Sequence, residues 1–227
     1  MTLDEKIDMM HGSRGWHTIT PFTYRLWSFG NRGYRRLGVP AFRFTDGPKG
    51  INLGRSTCFP VAIARGASFD PALEEKVAEV FGLEARHQGA NATGSTCINI
   101  IRHPGWGRSQ GTFGADPFHM GVMGAAHVRG LKKNVMPVIK HYACNSIEDS
   151  RYKVSVNIDE RTLREIYLPH FRACLDAGAA GVMSAYNRVN GAYCVEHRYL
   201  LTDILKEEWG FKGFVISDWF FGCYHTV

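Results

Sequence analysis

Short apolar segments alternate along the chain with longer segments whose apolar residues recur at helical spacing. Most of the short segments are apolar nearly throughout, as in strands that are buried on both faces. The predicted strands cover residues 41–45, 96–101, 135–140, 181–186 and 213–217. Residues 152–158 instead alternate apolar and polar side chains, which predicts a small exposed strand or hairpin arm outside the main alternation.

The longer segments carry recognisable helix ends. We predict helices over about 70–89, 116–133, 159–178 and 199–209. The first two begin with Asp-Pro, which combines an N-cap carboxylate with a proline at the first helical position. Asp159 is the predicted N-cap of the third helix. Gly178 and Gly210 follow the last two helices, where a left-handed residue ends a helix at low cost.

This alternation of strand and helix is typical of a parallel sheet with right-handed crossovers. A complete eight-stranded barrel takes about 250 residues, whereas this chain has 227 residues and about five such strands. The sequence therefore predicts an α/β fold: either a partial or shortened TIM-type (β/α) barrel with mostly parallel strands, or a smaller α/β sheet. No linker divides residues 1–227 into two domains.

Composition narrows the function classes. The formal net charge is +6, but the Lys and Arg residues are scattered and form no stripe with interleaved aromatic residues, so we expect no nucleic-acid partner. No apolar run approaches the ~20 residues of a membrane span. The charged N-terminal segment does not resemble a signal peptide, and we expect a soluble, cytoplasmic protein that does not bind membranes.

The six cysteines form no CxxC pair, and the histidines show no ligand spacing, so we expect no metal site and no cofactor. Several cysteines lie in apolar segments, where they are expected to be small buried thiols. This usage is typical of a reducing compartment.

Polar residues follow each predicted strand, and the carboxyl ends of parallel strands form one rim, where active sites lie. These residues are Asp46, Arg102, His103, Lys140, His141, Tyr186, Asn187, Asp218 and Trp219. A carboxylate beside an aromatic ring, near a lysine and an arginine, suits a sugar. Hydroxyl groups need charged hydrogen-bonding partners, and the apolar face of a sugar stacks on an aromatic ring.

Six segments resemble, in the same order, motifs of glycoside hydrolase family 3. They are TDGPKG (45–50), NIIRHPGWGRS (99–109), IKHYACNSIEDSR (139–151), DERTLREIYLPHF (159–171), VMSAYNRVNG (182–191) and LLTDILKEEWGFKGFVISDW (200–219). The resemblance extends from about Thr2 to Trp219. It implies the N-terminal barrel domain of a β-glucosidase-like enzyme, a carbohydrate substrate, and retaining hydrolysis of terminal β-D-glycosides through a covalent glycosyl-enzyme.

The resemblance also implies residue roles. Asp218 would be the nucleophile, because a carboxylate attacks the anomeric carbon and also leaves readily in the second step. This role requires an ionised carboxylate, which nearby cations would favour. Trp219 would form a wall of the sugar subsite, and Tyr186 would orient the nucleophile. The remaining sugar contacts would come from Asp46, Arg108, Lys140, His141, Arg151 and Met183.

Several of these residues have a structural alternative. Asp218 could cap a helix, and His141 could be a hydrogen-bonded structural histidine. Met183 could belong to the core. Arg151 could serve only an ion pair with Glu148 or Asp149, and Trp106 and Arg108 could brace their loop.

The sequence departs from the family at two points. Gly111 and Ala115 occupy positions where relatives usually carry glutamates, and the resemblance implies that the first glutamate pairs with arginines such as Arg108. The family's general acid usually comes from a second domain or a variable loop. The sequence ends at Val227, nine residues after Asp218, so we expect that domain to be absent. Glu148 is the one acidic residue near the motif block that could substitute.

Three hypotheses follow from these departures. The first is a β-glucosidase-like hydrolase present as a fragment, and the second is a non-catalytic sugar-binding remnant that lacks the acid. The third is a Schiff-base lyase that uses Lys140. An incomplete barrel also exposes sheet edges, so we expect self-association, as a homo-oligomer or with a missing C-terminal domain.

Overall fold

The computed structural model describes residues 1–12 and 25–219. The strands are β1 (Phe29–Gly30), β2 (Arg43–Thr45), β3 (Ala92–Cys97), β4 (Met136–Tyr142), β5 (Ser155–Val156), β6 (Gly181–Ser184), β7 (Arg188–Val189), β8 (Ala192–Tyr193) and β9 (Phe214–Ser217). The α-helices are α1 (Leu3–Met9), α2 (Ala62–Gly66), α3 (Pro71–His87), α4 (Pro117–Leu131), α5 (Glu160–Thr162) and α6 (Pro169–Asp176). Two π-helical segments cover Leu163–Tyr167 and Tyr199–Glu208, and 3₁₀ turns cover Arg35–Leu37 and Ser109–Gly111.

The main sheet has six strands in the order β1-β2-β3-β4-β6-β9. All neighbours pair in parallel except β1, which runs antiparallel to β2. The helices between the parallel strands are the crossovers that such pairing requires. The sheet is a half-barrel, and the predicted partial TIM-type α/β fold is confirmed. Strands β5, β7 and β8 form a separate three-stranded sheet, which includes the arm expected at 152–158.

Alternation along the strands sorts the side chains to two faces. Ile139 and Val182 pack against the helices in the larger apolar cluster. Their neighbours Val138 and Met183 pack on the opposite, concave face with Phe44. Lys140 is two residues after Val138 and pairs in register with Met183, so the strand period carries a charged side chain onto the concave face.

The helix starts are those expected. The carboxylates of Asp70, Asp116 and Asp159 accept hydrogen bonds from main-chain N–H groups three residues further on, and the first two helices have proline at the N-terminus. The predicted third helix is interrupted, because a π-helical turn precedes Pro169 and α6 begins there. Proline has no N–H group, so it cannot continue the regular hydrogen-bond ladder of a helix.

One predicted strand is displaced. The sequence places it at 96–101, whereas β3 covers residues 92–97, which are small and mostly polar. The more apolar Ile98 and Ile100 follow the strand and pack in the helix-side cluster. The displacement leaves Arg102 and His103 exposed on the following loop, so the expectation that these two residues follow directly on the strand end is wrong.

Cys97, Cys144, Cys174 and Cys194 are buried free thiols, as expected, whereas Cys58 is exposed. Cys223 lies outside the described residues. Across residues 1–12 and 25–219, no helix has the length and apolar character to cross a bilayer. No group of three or more His, Cys, Asp or Glu side chains in the same ranges is placed to hold a metal ion.

Candidate active site

Asp46 and Lys140 form an ion pair between two strand ends. Asp46 directly follows β2, and its Oδ1 accepts a hydrogen bond of 2.5 Å from Nζ of Lys140 on β4 and one of 2.9 Å from the N–H of Gly47. The Lys140 side chain is 6% exposed and that of Asp46 is 18% exposed. Charge-assisted hydrogen bonds of this kind are stronger than neutral ones, so the two groups hold each other at the mouth of the concave face.

Arg108 is held by a carboxylate from a different loop. Its Nε lies 3.1 Å from Oε2 of Glu148, and the same oxygen accepts a hydrogen bond of 2.8 Å from Nη1 of Arg151. The ion pair between Arg151 and Glu148, one of the two alternatives for that arginine, is therefore present. Because Glu148 supplies a partner, Arg108 is well held even with glycine at position 111.

Arg151 also stacks on two aromatic rings. Its guanidinium carbon lies 4.8 Å from the ring centroids of Tyr152 and Tyr186. The hydroxyl of Tyr186 donates to the carbonyl of Trp219 at 2.7 Å. Burial raises the pKa of Tyr186, and the nearby charge of Asp218 raises this pKa further. Tyr186 therefore stays protonated and lies next to the residue expected to be the nucleophile.

Asp218 follows β9 and is 6% exposed. Its Oδ1 accepts the N–H of Trp219 at 2.8 Å, and its Oδ2 lies 3.5 Å from Nε2 of His141. Burial raises the pKa of Asp218, and the charges of Lys140 and Arg108 offset only part of that rise. The expected cations are thus present, but the carboxylate is harder to ionise than an exposed one.

His141 is buried between Arg108 and Asn99. Nη1 of Arg108 donates to its Nε2 at 2.6 Å, and this bond leaves Nδ1–H to donate to Oδ1 of Asn99 at 3.2 Å. Burial, followed by the charges of Arg108 and Lys140, lowers the pKa of His141 well below its usual value. The ring is therefore neutral, and its orientation is fixed from both sides.

Asn99 is the site residue that the sequence reasoning missed. Its Nδ2 donates to the carbonyl of His141 at 2.8 Å, and its Oδ1 accepts the His141 main-chain N–H at 2.9 Å. The side chain thus continues the pairing of β3 and β4 past the end of β3. Its position as the first residue of the quoted segment 99–109 was the available signal.

The structure separates the remaining candidates into interior and rim. Met183 is 1% exposed and packs with Phe44 on the concave face, in agreement with the alternative that Met183 belongs to the core. The Trp219 ring lies on the same face, 5.3 Å from the rings of Phe29 and Phe44. Asn187 donates to the main-chain carbonyls of Ala143 and Arg188, so its contacts are structural.

One cluster therefore contains most of the expected site residues. Asp46, Arg108, Lys140, His141, Tyr186 and Asp218 are linked by the contacts and charges described above. Arg151 joins this cluster through Glu148 and Tyr186. The cluster presents cations, a carboxylate and a neutral imidazole around a single buried carboxyl group. It can hold a polyhydroxylated ligand and deliver one nucleophile to it.

Comparison with known proteins gives one consistent result. Residues 31–225 match the N-terminal domain of glycosyl hydrolase family 3. The chain is 40% identical to a β-glucosidase of Rhizobium radiobacter over 236 aligned residues, which cover 100% of this chain and 27% of that protein. It is 38% identical to thermostable β-glucosidase B of Acetivibrio thermocellus, with 96% of this chain and 29% of that protein covered.

Solved structures show the same similarity. The fold superposes on β-glucosidase 3B of Thermotoga neapolitana in complex with glucose with a TM-score of 0.90 and 34% identity, covering 96% of this chain and 33% of that chain. It superposes on DesR, a β-glucosidase of Streptomyces venezuelae, with a TM-score of 0.89 and 36% identity, covering 98% of this chain and 28% of that one. The chain thus spans roughly a quarter to a third of the proteins that it matches.

Proposed function

The chain belongs to glycosyl hydrolase family 3, and we propose that it forms the nucleophile-bearing part of a β-glucosidase that hydrolyses terminal β-D-glycosides with retention of configuration. The observation that carries this proposal is the position of Asp218. It is a buried carboxylate at the end of a parallel strand, 3.5 Å from the His141 ring and within the field of Lys140 and Arg108. The names of the relatives support the β-glucoside class.

The proposed reaction has two steps. In the first step, a carboxylate oxygen of Asp218 attacks the anomeric carbon, the glycosidic C–O bond breaks, and the aglycone oxygen leaves with a proton from a general acid. In the second step, a water molecule attacks the same carbon, the ester bond to Asp218 breaks, and the general base takes the proton from water. Each step inverts the anomeric centre, so the configuration is retained overall.

The other residues of the cluster would bind and orient the sugar. Asp46 and Lys140 are charged groups at the mouth of the concave face and suit hydroxyls far from the anomeric carbon. Arg108, His141 and Arg151 would contact the remaining hydroxyls. The Trp219 ring would offer an apolar face to the sugar. Fixed charges of this kind need no reorganisation when charge develops at the reacting centre.

The general acid is proposed to come from outside the cluster. Both arginines that flank Glu148 bind its Oε2, and this arrangement favours a positioning part for Glu148 rather than proton donation. We therefore propose that residues 1–227 correspond to the N-terminal barrel domain and that a second domain supplies the acid. The 27% and 33% of relatives' lengths that the chain spans support this division.

A fluorinated substrate tests the nucleophile without needing the acid. The chain is incubated with 2,4-dinitrophenyl 2-deoxy-2-fluoro-β-D-glucoside, whose leaving group departs without protonation, and intact mass is measured. A gain of one fluoroglucosyl group that maps to Asp218 and is lost in Asp218→Asn is the expected result. A folded chain that binds glucose but gains no mass would contradict the nucleophile assignment.

One observation favours a second candidate, a non-catalytic sugar-binding protein. Burial raises the pKa of Asp218 and so makes the carboxylate harder to ionise, whereas attack on the anomeric carbon needs the ionised form and sugar binding does not. Glucose binding without labelling would support this alternative.

A Schiff-base lyase is less well supported, because Nζ of Lys140 donates to Asp46 at 2.5 Å, the geometry of an ion pair and not of a free amine.

A further inference from the structure

A continuous series of hydrogen-bonded polar side chains lies on the helix side of the sheet, away from the cluster around Asp218 that is proposed to bind sugar (the sugar-binding cluster). Ser95 on β3 contacts His127 on α4, with Oγ 3.1 Å from Nε2. Nδ1 of His127 lies 2.7 Å from Oε1 of Glu74 on α3, and Oε2 of Glu74 accepts from Nε of Arg65 on α2 at 2.9 Å. None of the four residues is more than 7% exposed. We call this series the buried relay.

The hydrogen bonds of the buried relay are mutually consistent. Burial lowers the pKa of His127, so the ring is neutral, donating through Nδ1–H to Glu74 and accepting from the Ser95 hydroxyl. Burial alone would raise the pKa of Glu74, but His127 and Arg65 outweigh it and lower the pKa. The relay therefore holds one carboxylate and one guanidinium, and the two charges compensate each other.

The far end of the buried relay is a loop and not another helix. Nη1 of Arg65 donates to the carbonyl of Pro60 at 2.5 Å, and Nη1 and Nη2 both lie 3.3 Å from the carbonyl of Pro48. Only a guanidinium can bind Glu74 through Nε while its fork reaches two carbonyls. Arg65 thus fixes both ends of the segment between Pro48 and Pro60.

This segment is continuous with the sugar-binding cluster. Pro48 is two residues after Asp46, and the Asn52 N–H donates to the Asp46 carbonyl at 2.9 Å. The Phe59 N–H donates to the carbonyl of Lys49 at 2.8 Å, which closes the loop above Arg65. The position of the Asp46 carboxylate therefore depends on a loop that is held from behind by Arg65.

We propose that Arg65 is a positioning residue for sugar binding, which acts through the carbonyls of Pro48 and Pro60 to hold the Asp46 carboxylate against Lys140. This inference rests on the proposed function, because the proposed function is what assigns glucose binding to Asp46. Glu74 and His127 orient the guanidinium, and Ser95 attaches the buried relay to the sheet. Arg65 itself touches no substrate, because it lies on the helix side of the sheet.

The test compares Arg65→Lys with a matched variant on the same helix layer, Arg129→Lys. Arg129 pairs with Glu75 at 3.0 Å but is 43% exposed and binds no loop carbonyl in the described structure. An ammonium at position 65 keeps the charge beside Glu74 but cannot reach Glu74, Pro48 and Pro60 together. D-Glucose affinity is measured by titration calorimetry on the full chain, and amide hydrogen exchange is measured for residues 46–60.

We expect Arg65→Lys to raise the glucose Kd at least tenfold and to speed exchange at residues 46–60, while Arg129→Lys changes neither. If Arg65→Lys does not fold, the double variant Arg65→Met/Glu74→Gln removes the pair without leaving a buried lone charge, and the same result is expected. A folded variant with wild-type affinity overturns the inference and leaves the proposed function standing. A folded wild-type chain that does not bind glucose overturns both.

Discussion

Oε2 of Glu148 lies 3.1 Å from Nε of Arg108, so a carboxylate on one rim loop fixes the guanidinium of another. The same oxygen binds Arg151 at 2.8 Å. The resemblance to family motifs leads us to expect a glutamate at position 111, whereas glycine stands there in this chain. Glu148 thus gives both arginines a common partner that does not depend on position 111.

Glu148→Gln should weaken glucose binding about tenfold, since an amide retains the shape of the carboxylate but loses its charge-assisted bonds to both arginines. Titration calorimetry with D-glucose measures the effect. Glu165→Gln is the matched control, because Glu165 forms an exposed pair with Arg161 on the helical surface, and such pairs contribute little. Equal affinities of the two variants would contradict the assigned part of Glu148.

Asp218→Asn should stabilise the folded chain at neutral pH, because it removes a buried carboxylate whose ionised form is disfavoured by burial. The folded pKa of Asp218 is raised, so at pH 7 the native state carries an unfavourable buried carboxylate that the unfolded state does not. The gain should shrink as pH falls through the raised pKa and vanish below the unfolded value of 3.8.

Urea unfolding of both proteins at several pH values measures this difference. The asparagine variant keeps Oδ1, so it can still accept the N–H of Trp219, and the comparison isolates the charge. A variant that is less stable than wild type at pH 7 would show that the cations outweigh burial.

His170→Phe should make the chain more resistant to acid. His170 is 1% exposed, and burial lowers its pKa to about 3 from 6.5. As pH falls below 6.5 the unfolded state gains a proton that the native state cannot bind, so wild type loses about 2 kcal/mol between pH 7 and pH 5 from this residue. Phenylalanine does not titrate, so the variant lacks this loss of stability, and its ring can keep the aromatic contact with Phe171.

The difference in unfolding free energy between pH 7 and pH 5 is the quantity to compare, since it cancels any change in packing that is common to both pH values. Identical pH dependence in the variant and the wild type would show that His170 takes up a proton in the native state.

Gly94→Ala should disturb the site and the core together. A Cβ at Gly94 would lie 2.5 Å from Cζ of Phe44 and 3.4 Å from Oδ1 of Asp46, and overpacking of this kind costs about 1–3 kcal/mol. Gly111→Ala is the control, because a Cβ there meets nothing within 4 Å. Thermal unfolding and glucose titration should separate the variants; equal stabilities would contradict the close packing at β3.

The sequence was most informative where local chemistry decides the outcome. The Asp caps at 70, 116 and 159 and four of the five strands predicted for the main sheet lie where they were predicted, because capping groups and apolar runs act over a few residues. The strand β3 was displaced because its small polar residues carry little apolar signal, while the apolar residues that follow it pack outside the sheet.

Longer-range relationships could not be derived from the sequence in the same way. The roles of Asn99 and Glu148 depend on contacts with residues from other loops or strands. Arg65, Glu74 and His127 come into contact only when three helices pack on the sheet. Neither composition nor hydrophobic periodicity predicts such long-range side-chain contacts. The strand pattern predicted the positions of Asp46, Lys140 and Asp218 at the strand ends, and the resemblance to the family implied their roles, but neither predicted the contacts that hold them.

The pairing of Asp46 with Lys140 joins positions 94 residues apart, and this separation has a consequence for synthesis. At about 5–20 residues per second, the ribosome releases the segment with Asp46 about 5–20 s before the strand with Lys140 can join it. The Asp46 carboxylate must therefore remain without its ion-pair partner for that time, although β2 can pair with β3 earlier. Non-local pairing also slows folding in general, so we expect the rim that contains Asp46 and Lys140 to be the last part of the chain to reach its native structure.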